Sequence, residues 1–211
     1  MIALSIAGLA LVLLGWALAP AVRGVSIAGA CAVLIAYGAI GAVCAPRIER
    51  QNPALLHQAT LFGLLAGGAF ALEVVLEYIV LPADNSTWGL VEFGAVFALV
   101  FISALLAARR SRRVRHGLLA AVVTMMIASL IWLVVVLAIT HAFHGTPQQA
   151  QVLRAEGAYD DFARSGMSDF NVFVAEDFMG AAFFHLLLGP LVALLLGAAG
   201  GWAGRLSASH V

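Results

Sequence analysis

Seven ionisable residues of this 211-residue chain stand inside apolar stretches or at their ends: Glu73, Glu77, Glu92, His141, His144, Asp177 and His185. Carboxylates and imidazoles are the side chains that hold Zn, Fe or Mn. Within a bilayer the same groups also form proton relays. Glu73 and Glu77 are four residues apart and His141 and His144 three, so each pair shares a helix face. Asp177 and His185 are about 80° apart in helix rotation, which leaves Glu176 pointing elsewhere. Tyr78 and Trp88 are placed to close such a site.

The elements that must position these residues are membrane spans. A chain that is 63% hydrophobic and 10% charged, with a mean hydropathy of +1.03, lies outside the range of soluble domains. Apolar runs near the ~20 residues a bilayer needs fall at 1–20, 24–45, 59–82, 88–108, 117–140 and 178–203. The expected fold is all-α, a polytopic protein with six transmembrane helices in a single domain over 1–211. The segment 142–177 carries Arg154, Glu156, Asp160, Asp161, Arg164, Asp169 and Glu176, so it reads as an outer loop with local helix. Ala17-Leu18-Ala19 resembles a cleavage site, but no positive residue precedes the first apolar core, and a retained span is expected there.

All eleven basic residues are Arg, and they balance eleven acidic ones. Zero net charge argues against a nucleic-acid partner. The run Arg109-Arg110-Ser111-Arg112-Arg113-Val114-Arg115 must face the cytoplasm, since short inner loops collect positive charge. Counting spans from it puts Arg47, Arg50 and Arg205 on the same side and only Arg23, Arg154 and Arg164 opposite, with both termini cytoplasmic. In this topology Glu77 lies about 7 Å and Glu73 about 13 Å below the outer end of span three, which ends at Pro82, Glu92 about 6 Å down span four, and His185 about 10 Å below Phe178. His141 and His144 sit at the outer mouth of span five. The inner half of the spans carries no ionisable residue, so convergence on one outward-facing cluster is expected.

Local signals refine this frame. Thr146-Pro147-Gln148-Gln149 predicts a helix start, Ser165-Gly166 its end, and Ser168 the cap of a second helix carrying Phe170, Phe173, Val174 and Phe178 into span six. The phenylalanines of this second helix alternate with Asp169, Glu176 and Asp177, so it is expected at the outer interface before it enters the span. Pro190 in Gly189-Pro190 removes a hydrogen bond to the carbonyl of Leu186, which frees an acceptor beside His185. Gly63 with Gly67, Gly197 with Gly201, and Gly200 with Gly204 form GxxxG patterns that let spans three and six approach each other or a neighbouring subunit. Cys31 and Cys44 are about 20 Å apart along one helix and form no CxxC pair, so both read as small apolar side chains. The Asn85-Ser86-Thr87 sequon would lie outside. His57, His116 and His210 receive no role. No internal repeat, phosphate loop, nucleophile elbow, HExxH or Rossmann pattern is present.

Three functional readings follow. The first is an integral membrane protein of a bacterial inner membrane, the source being a composition inference, whose outer cluster binds or conducts a transition metal or a proton. The second is an accessory subunit of a larger complex or a homo-oligomer. In it the cluster only fastens helices, at on the order of 0.6 kcal/mol per polar contact. The third is a metal-dependent enzyme acting on a lipid.

Overall fold

The computed structural model describes residues 1–18, 20–80 and 86–208. Ala19, Pro82, Asn85 and His210, and with them the cleavage-like motif, the expected end of span three and the sequon, lie outside the described residues or depend on ones that do. The Trp88 side chain does too. Among the described residues there are eight helices and no strand: α1 Ile2–Leu18, α2 Gly24–Gln51, α3 Pro53–Val80, α4 Ser86–Ser111, α5 Val114–Ala142, α6 Pro147–Ala155, α7 Ala158–Ser165 and α8 Phe170–Ser207. Five of these, α2, α3, α4, α5 and α8, are long and apolar enough to cross a membrane. The apolar α1 is shorter, with 17 residues.

Three boundaries differ from expectation. Pro46 sits inside α2, so the expected inner loop is reduced to Asn52 between α2 and α3. The single helix expected from Thr146 breaks into α6 and α7 at Gly157, whose φ of 78° is left-handed and suits glycine alone. Gly166 ends α7 in the same conformation, as expected. The helix of the last span starts at Phe170, where the expected second helix runs unbroken into it. Asp169, not Ser168, caps it, accepting from the backbone N–H of Asn171 and Val172. A carboxylate offers both the acceptor and the negative charge that a helix N-terminus favours. At 1.5 Å per residue α8 is about 57 Å long, well beyond the ~30 Å of hydrocarbon.

Side-chain pairs fix the directions. Gln58 reaches Ser103, Phe70 meets Phe93, and Tyr78 meets Phe143. Tyr37 meets Leu186, and His141 meets Leu11. Hence α1, α3 and α5 run one way and α2, α4 and α8 the other. The axis is α5, in which Thr124, Ala128, Leu130, Leu133 and Leu137 are among the buried residues.

In lipid, apolar burial gives helices little drive to associate, so close packing of small residues must supply it. The glycine patterns do this inside the bundle. A Cβ at Gly63 or Gly67 would press on Ile127 and Ile131 of α5, and one at Gly200 or Gly204 on the Phe101 and Leu105 carbonyls of α4. Gly197 and Gly201 meet Ala121 and Val114 of α5. The expected approach of the third span to the sixth is therefore corrected: each packs its glycines on a helix between or beside them. Polar groups reinforce the same half. Gln58 donates to the Ser103 carbonyl at 2.8 Å and accepts from Arg110 at 2.9 Å. The Ser103 and Thr124 hydroxyls pair at 2.9 Å.

Candidate functional site

The two halves of the bundle carry opposite charge. The half holding Arg47, Arg50, Arg109, Arg110, Arg112, Arg113, Arg115 and Arg205 has one acidic residue, Glu49; the other half has three arginines and, among the described residues, nine acidic ones. Within that acidic half the seven expected residues separate into three places.

The first lies inside the bundle, where Glu73 of α3 is near both Glu92 of α4 and His185 of α8. The Glu73 and Glu92 carboxyls face each other closely enough to interact, and Glu73 also feels His185. Glu92 is buried, and in strict geometry neither of its oxygens has a hydrogen-bond partner among the described residues. The carboxyls are thus neighbours without a bond joining them. The His185 ring stacks on Trp132, with centroids 4.1 Å apart and planes 26° apart, and Phe93 lies beyond at 6.5 Å. Its Nδ1 is 2.9 Å from the Ala181 carbonyl oxygen. A carbonyl can only accept, so Nδ1 donates to it. Glu77, one turn above Glu73, acts electrostatically on Glu92 and on Tyr78.

The second place involves His141, whose Nε2 bonds the Leu11 carbonyl at 3.0 Å and whose ring lies where a Cβ on Gly15 would touch it. It fastens α5 to α1. His144 is exposed above it, on the rim of a cavity under α6. The third place is a crevice between α2 and α8. There Arg23 grips Glu176 through Nε at 2.8 and 2.9 Å, through Nη2, and through its backbone N–H at 3.1 Å, beside exposed Asp177.

Two further residues belong to this description. Glu156, at the end of α6, is exposed on its own surface, yet its carboxyl is pushed up to about 7. The causes are the protein mass that keeps water from part of it, then the carboxylates of Glu77, Asp177 and Glu73. A signal for it exists in the sequence: a carboxylate in the outer loop, above a helix end that already carries two. Tyr37 of α2 donates its hydroxyl to the Leu186 carbonyl, the acceptor that Pro190 frees. The broken backbone expected to build an ion site is thus satisfied by a phenol, and α8 runs through Pro190 as a helix.

Among the described residues no three His, Cys, Asp or Glu side chains are placed to hold one metal ion. No protein-family model, curated protein or solved structure matches this chain.

Proposed function

We propose that this is a six-span membrane protein whose Glu73, Glu92 and His185 form a proton-exchanging site opening toward the outer face. In this reading α1 is the sixth span, the Arg-rich half faces the cytoplasm with both termini, and the membrane is a bacterial inner membrane. The observation that carries the reading is the buried Glu92 carboxyl, unpartnered and facing Glu73. Two carboxylates facing each other in apolar surroundings need positive charge between them, and removing either compensation is costly. A proton supplies it without a coordination shell, whereas among the described residues no three carboxyl, imidazole or thiol groups are placed to hold Zn, Fe or Mn. The His185 imidazole, which acts on Glu73, adds a second kind of proton-exchanging group to the site. The accessory-subunit reading loses its main argument, because the GxxxG faces are spent on internal packing.

The test is proton uptake into vesicles carrying the purified protein and an internal pH dye. Wild-type protein should admit protons down an imposed gradient, and Glu92→Gln and His185→Ala should each slow uptake at least about tenfold, the loss expected for a positioned acid or base. Unchanged uptake in Glu92→Gln defeats the reading. Stoichiometric metal in protein purified without chelator, lost in Glu73→Gln, would restore the metal instead.

A further inference from the structure

Glu73, Glu92 and His185 stand inside the bundle, and a proton must reach them from water. Near neutral pH free hydronium is scarce, so a surface group that trades protons with buffer feeds a buried site faster than hydronium does. Two carboxyls stand between these residues and the acidic end of the bundle. Glu77 lies one turn above Glu73 on α3. Glu156 closes α6, which packs on α3, and is exposed to solvent.

One buried group joins the two. Tyr78 is 2% exposed, and its ring packs on Phe143 with centroids 5.4 Å apart. Its hydroxyl stands near Thr140 and feels both Glu156 and Glu77, yet among the described residues it has no hydrogen bond in strict geometry. A hydroxyl this deeply buried is expected to be paired. A phenol between two carboxyls can take a proton on its oxygen from one while its own hydrogen goes to the other. The charges that act on Glu156 are negative: Glu77 and Glu73 of α3 and Asp177 of α8, with Asp160 and Asp161 in the first turn of α7 that follows it. The arginines of this half are engaged elsewhere, Arg23 on Glu176, Arg164 on Asp161 and Arg154 over the Tyr159 ring. The Glu156 carboxyl, pushed up to about 7, therefore both holds and releases a proton near neutrality, as exchange at ordinary pH requires.

We propose, on the proton-exchanging reading of Glu73, Glu92 and His185, that Glu156 is the outer entrance of that site and passes protons over the Tyr78 hydroxyl to Glu77. A buffer acid gives its proton to the Glu156 carboxylate and leaves as its conjugate base. The Glu156 carboxyl then gives a proton to Tyr78 Oη as the phenol hydrogen moves to Glu77, and rotation of the new O–H restores the phenol. Glu77 hands the proton down one turn to Glu73, beside Glu92 and His185. Each transfer returns its donor to the form in which it began, so the relay is ready for the next proton.

The experiment is proton uptake by the full chain in vesicles with the acidic end facing out and little buffer outside. At an outer pH of about 7, Glu156→Gln should take up protons at least about tenfold more slowly than the wild type, and at about pH 5, where hydronium is abundant, the deficit should close. Morpholinoethanesulfonate added outside, an impermeant buffer that trades protons near neutrality, should restore uptake in Glu156→Gln and leave Glu92→Gln slow, because it reaches the surface position and not the buried one. Tyr78→Phe should be slow as well and should not respond to the buffer. Glu156→Gln changes an exposed side chain and Tyr78→Phe removes an unpaired hydroxyl at constant shape, so both should fold. Undiminished uptake in Glu156→Gln or in Tyr78→Phe, or a Glu156→Gln deficit that the buffer does not relieve, overturns the entrance while a slow Glu92→Gln keeps the site. Uptake indifferent to Glu92→Gln removes the site itself, and the entrance with it.

Discussion

The Arg-rich half of the bundle and the acidic half solve the same packing problem in opposite ways. In the first, glycines bring backbones together, and Gln58, Ser103, Thr124 and Arg110 satisfy one another. Among the described residues its unpartnered buried side-chain atoms are Ser5 Oγ and His116 Nδ1. In the second, both oxygens of Glu92 and the hydroxyls of Tyr78 and Thr140 lack partners, and the cavity under α6 is left open. Satisfied polar networks rigidify and specify a structure, while unsatisfied groups are retained where they do something else.

The largest expected effect separates the two halves along a single helix. A Cβ at Gly204 would fall 2.2 Å from the Leu105 carbonyl oxygen, whereas one at Gly180 meets nothing within 4 Å. Gly204→Leu should therefore cost about 3 kcal/mol or more, beyond the usual range for overpacking because backbone must move. Gly180→Leu should stay within about 0.5 kcal/mol. Reversible unfolding in mixed micelles measures both, and equal costs would dissolve the contrast.

A smaller effect compares polar groups. Gln58→Leu leaves Arg110 and the Ser103 carbonyl without their partner and should destabilise by about 1–3 kcal/mol. Glu92→Leu removes a carboxyl with no partner to strand, and the same unfolding assay should find it neutral or stabilising. A strongly destabilised Glu92→Leu would mean that the carboxyl fastens helices after all.

The smallest effect is a pH dependence. The Glu156 carboxyl, raised from 4.5 to about 7 by its surroundings, holds its proton more tightly in the folded chain than in the unfolded one. Its contribution to stability therefore falls as pH rises through that interval and is lowest above it. Glu156→Gln should melt with the wild type at about pH 4 and above it at about pH 8. A gap that opened toward acid instead would place Glu156 beside a cation.

The sequence made the spans legible because apolar length is dictated by the bilayer itself. The polarity of the bundle was legible from arginine alone. A helix carrying Phe170 and Phe173 into the last span was legible too, but not what holds its first turns, where Tyr159 and Phe162 of α7 pack on the two phenylalanines and Arg23 grips Glu176. Those are contacts across the fold, invisible to local pattern. The nearness of Glu73 to Glu92 and to His185 followed from depth, but depth carries no information on helix rotation, and His141 bonds to α1. Tyr37 and Leu186 could have been matched, since a mid-span phenol needs an acceptor and Pro190 supplies one.

The central place of α5 governs how the protein comes into being. Ribosomes add roughly 5–20 residues per second, so α1 to α4 wait in the bilayer for seconds before the helix that receives Gly63 and Gly67 emerges. The Gln58 network is also incomplete until Thr124 arrives. A chain truncated within α5 would offer the cell's proteases loose helices with bare glycine faces, whereas one that has completed α5 already owns most of the surface on which α8 will close.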